Sequence, residues 1–91
     1  MAINVRLYGF LRTVAGRDEV QLEADSVRAV VERLATMFGP LFRQALTEEG
    51  GRVMPYCLVY VNKVGHRLQG ALEIALKDGD LVHLVPAVDG G

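Results

Sequence analysis

Ile3-Asn4-Val5-Arg6-Leu7 alternates apolar and polar side chains with period two, the pattern of a strand with one face on a core. Val20-Gln21-Leu22-Glu23 alternates again. Between them Ala15-Gly16-Arg17-Asp18 has turn composition, so the two strands are expected to form a β-hairpin. The period then changes. Val27, Val30, Val31, Leu34 and Phe38 fall on one stripe of an α-helix, and Ser26 stands where an N-cap belongs. Gly39-Pro40 ends that helix with a residue that tolerates positive φ, followed by one that cannot continue the ladder. Leu41 to Leu46 has room for another short helical turn, and Thr47-Glu48-Glu49-Gly50-Gly51-Arg52 reads as a mobile loop.

In the second half, Tyr56-Cys57-Leu58-Val59-Tyr60-Val61 is continuously apolar, as expected of an inner strand covered on both faces. Asn62 to Leu76 is expected to hold a short strand near His66 to Leu68. Lys77-Asp78-Gly79-Asp80 is a turn, and Leu81-Val82-His83-Leu84-Val85 a last strand. The order is hairpin, helix, strand, short strand, strand. One helix packed on one face of a mixed sheet buries both apolar surfaces economically, which is an α+β arrangement. The first and last strands are expected side by side, sending the chain's end out from the sheet centre.

The end itself is unusual. Leu84-Val85-Pro86-Ala87-Val88-Asp89-Gly90-Gly91 runs from the last strand through a proline into a glycine pair. Pro86 lacks an amide donor, so strand pairing should stop there. The expected division is a domain over residues 1–85 and a flexible C-terminal tail over 86–91. A tail ending in two residues without Cβ atoms can thread a narrow channel and present a free carboxylate to another protein.

Composition narrows the alternatives. Ninety-one residues suit one small domain, and 51% hydrophobic residues mark a folded chain. Ten basic and eleven acidic side chains leave a net charge of −1 with no basic block, which disfavours direct nucleic-acid binding or an anionic membrane surface as the main activity. No apolar run reaches the length of a membrane span. Cys57 is the only cysteine, so no internal disulfide can form, as suits a reducing cytoplasm.

Four stretches in order carry a resemblance: Leu11-Arg12 through Ala15-Gly16-Arg17, Ser26-Val27-Arg28, Val61-Asn62, and Lys77-Asp78-Gly79-Asp80 followed by Val85-Pro86-Ala87-Val88-Asp89-Gly90-Gly91. Together they resemble the ubiquitin-like sulfur carriers of β-grasp fold, most closely the small subunit of molybdopterin synthase. Ala87 stands where a second proline is frequent, Asp89 replaces a small neutral residue, and Lys63 to Lys77 is longer than in compact members. The resemblance implies a mixed sheet of four to five strands on one main helix. It also implies that an activating enzyme of the ubiquitin type adenylates the Gly91 carboxylate, Gly90 preceding it, at the expense of ATP. Sulfur then replaces AMP, and the thiocarboxylate serves a sulfur-accepting enzyme or large synthase subunit. Acceptors in the family include a pterin precursor, a tRNA base, thiazole and an amino-acid precursor. Such a chain is a protein cosubstrate and not an enzyme, and binds no cofactor of its own. A ubiquitin-like modifier joined to lysines through Gly91 would need the same tail, and a plain interaction domain is a third reading.

Alternation sends Tyr8, Leu81, His83 and Val85 to the sheet face away from the helix, where they would cluster at the root of the tail. These residues, with Arg12, Pro86 and Val88, are the expected partner-binding set, and Arg6 could frame it. Cys57 lies in an apolar strand and reads as a buried structural thiol. His66 and His83 are taken as surface residues, too few for a metal site. Asp78 and Asp80 read as turn formers bonding local amides.

Overall fold

The computed structural model describes residues 1–47 and 57–86. The chain runs β1 (Ala2–Leu7), α1 (Gly9–Ala15), β2 (Glu19–Glu23), α2 (Val27–Phe38), α3 (Pro40–Leu46), β3 (Leu58–Val61), β4 (Val64–Arg67), α4 (Leu68–Ala71) and β5 (Leu81–Val85). The five strands form one mixed sheet in the order β2-β1-β5-β3-β4. The first and last strands are indeed neighbours and parallel, with Val5 opposite Val82 and Leu7 opposite Leu84. All other pairings are antiparallel.

Ser26 caps α2 as its position suggested, its Oγ accepting from the Ala29 amide at 3.1 Å. Val27, Val30 and Leu34 are fully buried from that helix. They meet Ile3, Val5, Leu7, Val20, Leu22, Val59, Val82 and Leu84 from one face of the sheet. Removing each such side chain from water favours folding by about 1.5–3 kcal/mol. Gly39, at φ 84°, ends α2 and Pro40 opens α3 at a position where a missing amide costs nothing. Phe42 of α3 packs on Phe38 of α2 with ring centroids 5.4 Å apart.

Three expectations need correction. The connection between β1 and β2 is not a hairpin turn but contains α1, closed by Gly16 at φ 75°. Phe10, Leu11, Val14 and Ala15 do recur at helical spacing, but seven residues make only about two turns and only Leu11 among them is buried. The short α4 is a single turn of four residues, too short to leave a period in the sequence. Second, β3 is inner by position, between β5 and β4, but is not covered on both faces. Val59 is fully buried whereas Tyr60 is 38% exposed, because among the described residues no helix covers the second sheet face. The short strand expected near His66 to Leu68 lies at Val64–Arg67. The expected loop over Thr47 to Arg52 falls, beyond Thr47, outside the described residues, as does Tyr56.

The end of the sheet remote from the tail is held by polar groups. Asp80 Oδ2 accepts from the Lys77 amide at 2.8 Å and its Oδ1 from Asn62 Nδ2 at 3.1 Å. Asn62, at φ 55°, accepts in turn from the Leu81 amide at 3.1 Å. Asp80 therefore bonds a local amide as expected. Asp78 does not: its Oδ1 accepts from the Ala2 amide at 2.7 Å, tying the turn to the start of β1. That partner is distant in sequence and becomes near only through the parallel β1–β5 pairing.

Candidate functional site

Strand β5 lies between β1 and β3 and carries the chain toward its end along the sheet's centre line. Val82 and Leu84 face the core, so Leu81, His83 and Val85 face outward, each half-buried by neighbouring strands. Tyr8 follows the last residue of β1 and reaches back over this face. Its Oη and His83 Nδ1 share a hydrogen bond of 2.7 Å, with the rings 5.7 Å apart. Tyr8, His83 and Val85 thus gather toward the root of the tail, whereas Leu81 shares their face but starts β5 at the remote end, where its amide donates to Asn62 Oδ1. Arg6 stands opposite His83 on the same face and lies 3.9 Å from Glu19. Arg12 is exposed on α1.

Pro86 sits differently. It is buried, with Gly9 against its ring: a Cβ at Gly9 would stand 2.9 Å from Pro86 Cγ, and Gly9 already adopts φ 57°. Its packing is against its own domain, so it fixes where the tail leaves rather than offering surface. Val88, Gly90 and Gly91 lie outside the described residues.

The other candidates resolve as follows. Cys57 is buried, and desolvation pushes its thiol up to about 11, so almost none is thiolate at neutral pH. His66 and His83 are both half-buried instead of freely exposed. His66 is opposite the buried Val59, on β4, and His83 is held by Tyr8. Among the described residues no three His, Cys, Asp or Glu side chains gather where they could hold a metal ion, and no described helix is long and apolar enough to cross a membrane.

The outer face also holds residues that sequence reasoning missed. Tyr60 stands opposite His83 and meets it edge-on, with centroids 6.5 Å apart and planes at 88°. Leu58 stands opposite Val85 on one side and Arg67 on the other. Their alternation was hidden inside the unbroken apolar run of β3. The register against β5 was the missing signal, since a residue opposite an outward-facing one also faces outward.

This arrangement matches known proteins over its whole length. The sulfur carrier protein CysO of Mycobacterium tuberculosis is 29% identical over 93 residues, covering 100% of both chains. The small archaeal modifier protein 1 of Methanosarcina acetivorans superposes with a TM-score of 0.84 at 27% identity, over 99% of this chain and 96% of that one. A chain of the Amycolatopsis orientalis BexX/CysO complex superposes with a TM-score of 0.78 at 30% identity, over 99% of this chain and 100% of that one. The fold is the ubiquitin-like β-grasp, as the resemblance implied. The ThiS family matches residues 5–91, from the first strand through the terminal glycines, and the chain belongs to that family.

Proposed function

We propose that this chain is a sulfur carrier whose reactive atom is the Gly91 carboxyl group. The observation that carries the reading is the family match running through to Gly91, beyond a central strand that ends beside an outward-facing apolar cluster. The relative CysO bears the name of a sulfur carrier protein.

The chemistry follows from the carboxylate. A terminal carboxyl of pKa near 3.5 is an anion at neutral pH and a poor electrophile. An activating enzyme of the ubiquitin type joins a carboxylate oxygen to the α-phosphorus of ATP, and pyrophosphate leaves. A hydrosulfide equivalent attacks the acyl carbon of the adenylate, AMP leaves, and a thiocarboxylate remains. A second enzyme, free-standing or the large subunit of a synthase, takes the sulfur. The domain contributes docking through Tyr8, His83 and Val85 near the tail, with Leu81 farther along the same face and Arg12 exposed on α1. Positioning and electrostatics at the reacting atoms belong to the partners.

One observation favours a second reading. The likeness to a small archaeal modifier protein supports conjugation, in which a lysine amine attacks the acyl carbon of the same adenylate, AMP leaves and an amide forms. Intact-mass analysis of protein purified from its own host separates the two. One oxygen replaced by sulfur supports carriage; a ladder of larger adducts supports conjugation; an unmodified terminus after activating enzyme, ATP and sulfide are supplied overturns both.

A further inference from the structure

Tyr60 lies over the backbone of Gly65, its direct cross-strand partner on β4. A Cβ built at Gly65 would stand 2.7 Å from Tyr60 Cε2 and 3.1 Å from Cδ2 and Cζ. No positive φ calls for glycine at this position, unlike Gly9, Gly16, Gly39 and Gly79. What the missing side chain provides is room for the ring. On its other side the ring meets His83, which the hydrogen bond to Tyr8 holds in place. Tyr60 is therefore wedged between fixed neighbours on two strands while 38% of it stays exposed.

An aromatic ring held before binding gives up little rotamer freedom when a partner covers it. Tyrosine in such a setting is a frequent energetic centre of protein interfaces. The surroundings indicate the partner. Leu58 and Val85 extend the apolar row beside Tyr60, and Arg67 ends it, exposed and without an ion pair among the described residues. Aromatic and apolar side chains, Tyr8, Tyr60, Leu58 and Val85, make up most of the face around His83, so the fit is to a protein.

We propose that Tyr60 anchors the carrier on its activating enzyme, that Gly65 is the positioning residue for Tyr60, and that this enzyme offers an apolar recess bordered by a carboxylate facing Arg67. The assignment rests on the carrier reading, because β5 connects this face to the reactive end. It adds to that reading the anchor, the residue that aims it and the chemistry of the opposing surface.

The test is Gly65→Ala in the full chain, with the activating enzyme of its own host. Alanine carries no backbone strain here, so the unfolding midpoint should hold or rise while the ring is displaced. ATP–pyrophosphate exchange measured against carrier concentration should show KM raised about ten-fold or more with kcat kept, and Tyr60→Ala should match it. Arg67→Glu should raise KM most at low ionic strength. Gly70→Ala, whose Cβ would meet nothing within 4 Å, should leave KM unchanged. Calorimetric titration of the activating enzyme reads affinity without turnover, so docking is tested even where exchange fails. Exchange retained by Gly65→Ala at saturation keeps the carrier reading intact whatever becomes of the anchor. An unchanged KM and affinity for Gly65→Ala and Tyr60→Ala overturn the proposal. So does a self-association that these variants abolish, which would make a second copy the occupant.

Discussion

Tyr8 Oη lies 2.7 Å from His83 Nδ1, a contact between residues 75 apart in the chain. Parallel pairing of β1 with β5 makes it possible, and it fixes two side chains on the open face where the tail begins. Val85 completes the cluster. Glutamate at Val85 or Tyr8 should therefore weaken binding of the activating enzyme while leaving the fold nearly intact. Substitutions on such a face change stability by about 0.5 kcal/mol or less, whereas an unpaired carboxylate buried in an interface costs several times that. Affinity and unfolding midpoint, measured together, check the face assignment. A variant that unfolds would return these side chains to the core.

Deleting Gly91, or adding one residue after it, should abolish activation without changing thermal stability. Pro86 already packs against Gly9, and the five residues beyond it follow the last strand. ATP–pyrophosphate exchange and a thermal melt are the two readouts. Undiminished exchange by the deletion would remove Gly91 from the mechanism.

Cys57 tests the rival source of sulfur chemistry. Burial raises its thiol to about 11, and a tether after β5 can visit successive enzymes where a core residue cannot. Cys57→Ala should lose about 1 kcal/mol of packing and still acquire and deliver sulfur. The folded wild type should resist alkylation at neutral pH and react on denaturation. A folded Cys57→Ala protein that accepts no sulfur would overturn the carboxylate mechanism.

Acid should loosen the remote end of the sheet through Asp80. The Lys77 amide and then Asn62 stabilise its carboxylate, lowering its pKa from the ordinary 3.8. A carboxylate with a depressed folded-state value stabilises the fold above its unfolded pKa, and the contribution is lost as pH falls through the folded one. Wild-type stability should therefore decline below about pH 4 through this group. Asp80→Asn should be less stable at pH 7 and show a shallower acid decline. Parallel acid profiles for the two proteins would exclude the role.

How much the sequence determined by itself follows from the range of each interaction. The α2 stripe, the Ser26 cap, the Gly39-Pro40 stop and the alternation of β1, β2 and β5 are local patterns, and all hold in the structure. The family, too, was legible from motifs spread along the chain. Helix α1 was not, because Phe10, Leu11, Val14 and Ala15 span only about two turns and the turn composition of Ala15 to Asp18 reads equally well as a hairpin. The exposure of Tyr60 was likewise hidden, since a continuous apolar run looks the same whether one face or both are covered. Only strand order decided that β3 would turn Tyr60 outward beside His83, that Gly65 would make room for Tyr60, and that Asp78 would reach the Ala2 amide. Each of those depends on which distant residues stand opposite one another, and register between strands far apart in sequence is set by the packing of the whole core and not by any local pattern.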